Sequence, residues 1–114
     1  MLPNRIALSS KATDKLRYIK QNTGVTPNIL SRIAIMLAIR DSANLLNAGV
    51  NDCDGQILSR DVLFGDASAA YEVMINQYIH DSGTTLPIQD VICALIEIGV
   101  FKMGHIKKLQ DLVF

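Results

Sequence analysis

Residues 5–41, RIALSSKATDKLRYIKQNTGVTPNILSRIAIMLAIRD, decide how this chain is read. From Asn4 to Ser9 the residues alternate, so an extended segment turns Ile6 and Leu8 to one side and Arg5, Ala7 and Ser9 to the other. Ser9 or Ser10 then offers the short hydroxyl that caps a helix, accepting from the free N–H groups of its first turn. Along that helix Ala12, Leu16 and Ile19 recur at helical spacing and form the stripe to be buried. Lys11 and Lys15 fall on one flank of the stripe, Arg17 and Lys20 on the other. Gly24 stands where a helix C-terminus favours a residue tolerant of positive φ. Thr26-Pro27 starts the next helix, Thr26 as N-cap and Pro27 at a position with no N–H to lose. Its core face is Ile29, Leu30, Ile33, Ala34, Leu37 and Ala38; Ile35, Met36 and Ile39 are apolar on a different side. A module of about 40 residues cannot bury a helix this apolar alone, so it packs on another copy or on the rest of the chain. Ile35, Met36 and Ile39 are the candidate oligomer interface.

Charge is unevenly placed along the 114 residues, although 11 basic and 11 acidic side chains cancel overall. Residues 1–40 carry seven Lys or Arg and one Asp, residues 41–100 one Arg and nine acids, and residues 101–114 three Lys and one Asp. The neutral total therefore hides a basic N-terminal module, which fits a surface that meets nucleic acid. The hydrophobic share is 49% and the charged share 19%, which favours oligomerisation to hide apolar surface. The N-terminus MLPNR lacks the basic region and apolar run of a secretory signal. Arg32, Asp90, Glu97 and Lys102 keep every segment short of the roughly 18 uninterrupted apolar residues of a membrane span, and the expected location is the cytoplasm.

The connection SANLLNAGVNDCDGQ, residues 42–56, carries turn chemistry at Gly49 and Asp54-Gly55. Its acids do not make a calcium loop, because with Gly55 in the sixth position the first ligand would be Val50. Beyond it ILSRDVLFG is irregular or extended, and Asp66 to Ile79 reads as a helix with Ala70, Tyr71, Met74, Tyr78 and Ile79 on its apolar side. After a turn at Asp81-Ser82-Gly83, Pro87 lies in the first turn of a last long helix with Ile88, Val91, Ile92, Leu95, Ile96 and Val100 at core spacing, closed by Gly104. The tail HIKKLQDLVF is a short amphipathic helix exposing Lys107 and Lys108, which either extend the basic surface or are a solvated terminal pair. The expected organisation is one domain over 1–114, with a basic strand-helix-turn-helix module at 1–41 and a helical second half at 57–104. Leu30/Ile33/Ala34/Leu37/Ala38 superimpose on Ile88/Val91/Ile92/Leu95/Ile96, so the halves are either a pseudo-repeat or two amphipathic helices in a chance register.

Little suggests catalysis. Cys53, Cys93, His80 and His105 have no zinc-ligand spacing, and there is neither a Walker pattern nor GxGxxG. Cys93 reads as a small core residue, and Asp52 and Asp54 disfavour a thiolate at Cys53. No cofactor, metal or catalytic residue is expected.

The order of strand, helix, Gly turn and Pro-started helix resembles the ribbon-helix-helix DNA-binding proteins, in which two chains pair their strands and insert the ribbon into the major groove. More closely, LPNRIALSSKATDKLRYIKQNTGVTPNILSRIA at residues 2–34, with the chain length, is similar to the DndE family of bacterial DNA sulfur modification (phosphorothioation) systems. The fold class expected is a mainly α, small helical domain with a short N-terminal extended segment, in an oligomer. The DndE resemblance implies a homotetramer binding duplex DNA, particularly at nicks, beside a cysteine desulfurase, an iron-sulfur protein and an ATPase. On the residues themselves, Arg5, Lys11, Lys15, Arg17, Lys20, Thr26, Lys107 and Lys108 are the candidate DNA contacts, with the free N–H groups at Thr26-Pro27 open to a phosphate. The alternatives are a helical subunit docking on an acidic partner protein and a ribbon-helix-helix repressor. The repressor is the weaker of the two, since Ala7 between Arg5 and Ser9 reads little of a base edge.

Overall fold

The computed structural model describes residues 2–41, 44, 52 and 54–104. Cys53, Gly49, Lys107, Lys108 and the tail helix lie outside the described residues. Among these described residues, two strands and five α-helices follow one another as β1 (Arg5–Ala7), α1 (Ser10–Thr23), α2 (Pro27–Arg40), β2 (Ile57–Ser59), α3 (Arg60–Phe64), α4 (Ser68–Ser82) and α5 (Ile88–Lys102), with a 3-10 turn at Gly65–Ala67 before α4. The chain is thus mainly helical, with one short antiparallel ribbon.

Alternation builds the ribbon. Ile6 pairs with Leu58, both buried, while Arg5 across from Ser59 and Ala7 across from Ile57 turn to the other side. The Leu8 N–H donates to the Gln56 carbonyl and the Arg60 N–H to the Asn4 carbonyl, extending the ladder at both ends. The ribbon-helix-helix resemblance implies pairing between chains; here the partner strand is in the same chain, because ILS repeats the inward-apolar alternation of RIA.

Helix α1 starts on Ser9, whose hydroxyl accepts from the Ala12 N–H, and ends on Gly24 at φ 77°. Ala12, Leu16 and Ile19 are buried, as their spacing predicts. Thr26 is the N-cap of α2, with Pro27 in its first turn. On α2 the buried face is rotated from the one expected: Ser31 and Ile35 join Leu30, Ala34, Leu37 and Ala38 inside, Ile33 is half-buried, and Ile29 is exposed. Ile35 is therefore core, not a free interface side chain. Met36 remains exposed and Ile39 half-buried.

The rotation is set by α5, which buries every residue from Val91 to Glu97 and then Gly99 and Val100. Its contact with α2 is so close that a Cβ on Gly99 would lie 2.0 Å from the Ala34 carbonyl oxygen and 2.4 Å from its Cα. A side chain larger than Ala at position 34, or any at 99, would force these helices apart.

The elements run β1-α1-α2 and then β2-α3-α4-α5, and the two stretches meet strand on strand, β1 on β2, and helix on helix, α2 on α5. Helix α1 leans on α5, and α4 on α2 through the Tyr71 hydroxyl, which donates to the Arg32 carbonyl at 3.2 Å. The second half departs from expectation in detail. A separate helix α3 precedes α4; Ile75 rather than Ala70 is buried with Tyr71 and Tyr78; and Pro87 is the N-cap of α5 rather than a first-turn residue. The Arg32 guanidinium explains the break between α3 and α4. Its Nε donates to the Leu63 carbonyl, and Nη2 lies where a Cβ on Gly65, at φ 52°, would sit 2.9 Å away.

Candidate nucleic-acid interface

The outer face of α1 carries the cations predicted for it. Lys11, Arg17 and Lys20 are exposed, and Lys15 is half-buried. The helix beneath them is fixed at its start by a polar cluster. Ser9, 1% exposed, donates to Glu97 Oε1 at 2.6 Å while capping α1, and the Thr13 hydroxyl donates to the Ser9 carbonyl at 2.9 Å and accepts from the Gln56 N–H at 2.9 Å. Gly55 closes against the same turn, where a Cβ would meet Thr13 Oγ1 at 2.2 Å. Glu97 Oε2 is buried without a hydrogen-bond partner among the described residues.

The two flanks of α1 differ. On one, Arg17 pairs with Asp14 at 3.6 Å and shares a hollow with Asp54 and Gln56, so acids dilute its charge. Both partners are largely solvent-exposed, and the pair adds little stability. On the other, Lys11, Lys15 and Tyr18 follow at helical spacing, and the Lys15 ammonium lies 5.1 Å from the centre of the Phe101 ring on α5. Asp52 sits beside the start of α1, accepting from the Ser10 N–H at 2.9 Å and the Ser10 hydroxyl at 3.0 Å. The Asp54 N–H, the Ser10 groups and nearby Lys11 hold its carboxyl below the usual aspartate range.

The remaining candidates are dispersed. Arg5 is exposed on the outer face of the ribbon opposite Ser59, while the main chain of Ala7 is clasped by Gln89 of α5, which donates to its carbonyl at 2.9 Å and accepts from its N–H at 3.3 Å. Thr26 is exposed at the opposite end of α1, beyond Lys20, and makes no side-chain cap bond. Tyr18 and Phe101 were not among the residues singled out from sequence. Tyr18 could have been found, since it continues the Lys11/Lys15 row; Phe101 could not, because an apolar residue near the end of an apolar helix carries no sign of its exposure. Among the described residues no helix is long and apolar enough to cross a membrane.

Comparison with known proteins supplies a family. A search of curated proteins gives no significant match. Among solved structures, the crystal structure of DndE from Escherichia coli B7A, described as involved in DNA phosphorothioation modification, is 27% identical with a TM-score of 0.74, covering 90% of this chain and 99% of that one. The structure of a DndE G21/24K mutant involved in DNA phosphorothioation is 25% identical with a TM-score of 0.73, over the same shares of the two chains. The family profile described as DNA sulphur modification protein DndE matches residues 5–111, almost the whole sequence that carries the ribbon, the basic helix and the α2–α5 core. The chain belongs to the DndE family.

Proposed function

We propose that this protein is a non-catalytic DNA-binding component of a DNA phosphorothioation system, engaging duplex DNA, preferentially nicked, through the outer face of α1. The observation that carries the reading is the row of cations on a helix whose start is anchored through Ser9 to the buried Glu97. Cations on a rigid element neutralise backbone phosphates in fixed register, and the helix start at Thr26-Pro27 adds unpaired N–H groups for another. In a homotetramer several such faces would act together, beside the other proteins of the modification system. The exposed apolar residues Ile29 and Met36 on α2 are the surface we assign to contact between copies. A ribbon-reading repressor is disfavoured, since the outer ribbon face offers Arg5 among Ala7, Ile57 and Ser59, and Ile57 is an exposed apolar side chain.

Gel shifts on intact, nicked and single-stranded DNA, at several salt concentrations, test this reading. Affinity for duplex should fall with salt at a slope of roughly −0.9 per phosphate contact. Lys11→Ala and Lys15→Ala should each flatten it by about one contact without changing the mass seen by light scattering, and Arg17→Ala, already met by acids, should change it less. A protein that binds none of these DNAs would instead be the subunit that docks its basic face on an acidic partner.

A further inference from the structure

Three of the described aromatic residues are core: Phe64, Tyr71 and Tyr78 are 0%, 6% and 8% exposed. The other two, Tyr18 and Phe101, are 52% and 48% exposed, and both adjoin Lys15. The Lys15 ammonium covers part of the Phe101 ring, while Tyr18 lines a cleft with Lys15, Asp14, Ile19 and Gly104. Leaving rings this large in water forgoes the stabilisation that their burial gives elsewhere in the fold. Aromatic rings interleaved with lysines have the composition of a surface that stacks bases while its cations track the strand.

We infer that Tyr18, Lys15 and Phe101 form a stacking platform for a base that has left the helical stack, with Lys11 and Lys15 holding the phosphates beside it. An intact duplex offers these rings no base face, since each base is covered above and below by its neighbours. A bulge or a strand end does, and so does a nick when its ends unstack. The platform thus supplies a physical basis for preferring interrupted DNA, and it rests on the DNA-binding reading above. The Lys15 ammonium lies over one face of the Phe101 ring, so a base stacks on the part of the ring it leaves open and on Tyr18.

The test uses the full-length protein and two DNAs of identical flanking sequence, an intact duplex and one bearing a single unpaired 2-aminopurine. The wild-type protein should bind the second more tightly and change its 2-aminopurine emission as the base stacks. Tyr18→Ala and Phe101→Ala should each weaken binding to the bulged duplex by roughly tenfold, within the range set by one lost base stack, and leave intact-duplex affinity unchanged. Tyr18→Phe, which keeps the ring, should bind like the wild type. Helical circular dichroism and melting confirm that the variants are folded. Equal losses on both DNAs, or no loss on either while the wild type keeps its salt-dependent duplex binding, would overturn the platform and leave the basic-surface reading standing. Failure of the wild type to bind either DNA would remove both.

Discussion

The two halves of the chain each open on a short strand and close on an apolar helix, and they differ in what they leave outside. The first keeps its cations on the open face of α1; the second sinks α5 so deeply that its Glu97 is 1% exposed. Their start signals make the contrast specific. Ser9 and Ser59 are both N-caps with nearly the same extended backbone, φ −71° in each, but Ser9 is buried against Glu97 whereas Ser59 faces solvent. One half is thus built to present a surface and the other to hold it.

The largest expected effect strikes the seam between the halves. Gly99→Leu has no room against the Ala34 backbone and should cost more than about 3 kcal/mol, or prevent folding, in chemical denaturation. Gly83→Ala, at φ 68° with open space around it, should cost about 1 kcal/mol by backbone strain alone. If both substitutions cost the same, the close approach of α2 and α5 is not what holds the halves together.

Next in size is a pair on α2. Ile35→Asp puts a carboxylate in the core and should destabilise the folded chain by several kcal/mol, whereas Met36→Asp, on the exposed side, should leave the melting temperature within a few degrees. Light scattering then separates the roles. A drop in mass for a folded Met36→Asp protein would show a contact between copies on that face; an unchanged mass would remove that face from any such contact.

A smaller difference compares the caps. Ser59→Ala should cost about 1 kcal/mol, the usual value of an N-cap. Ser9→Ala removes a cap and also the hydroxyl donor to Glu97 Oε1, leaving a buried carboxyl with neither oxygen bonded among the described residues, so about 2–3 kcal/mol is expected. Equal costs in urea denaturation would mean that Glu97 gains nothing from Ser9.

The smallest effect is on pH. Because hydrogen bonds from Asp54 and Ser10 depress the Asp52 pKa, its hold on the start of α1 contributes above the unfolded value near pH 3.9 and is lost as pH falls through the lower folded value. Amide chemical shifts of Ser10 followed from pH 7 downward should stay flat until below about pH 4. A transition near neutrality would show that another group controls this contact.

Local signals were legible in the sequence where one residue type has one use. Ser9, Gly24 and Thr26-Pro27 mark the helix ends, and the alternation RIA marks a strand. The buried faces were legible only to within a rotation. Ile35 looked like surplus apolar surface because α2 is apolar around most of its circumference, and only the position of α5 says which arc is covered. The strand partner was less legible still, since ILS at 57–59 is too short to announce pairing. Of the candidate site, the lysines followed from the helical wheel, but the Phe101 ring under Lys15 needed α5 to be placed beside α1.

Pairing Ile6 with Leu58 and Ala34 with Gly99 also has a consequence for when the protein can fold. Contacts this far apart along the chain close long loops before they return any stabilisation, which slows folding relative to helical bundles made of neighbours. A nascent chain that has emerged only to Asp41 has a strand without its ladder and a helix without the one that crosses it. A fragment of residues 1–41 should accordingly show little helix by circular dichroism and be digested rapidly. Protection of α1 from protease should arise in one step with that of α5, once Gly99 is available to close on Ala34.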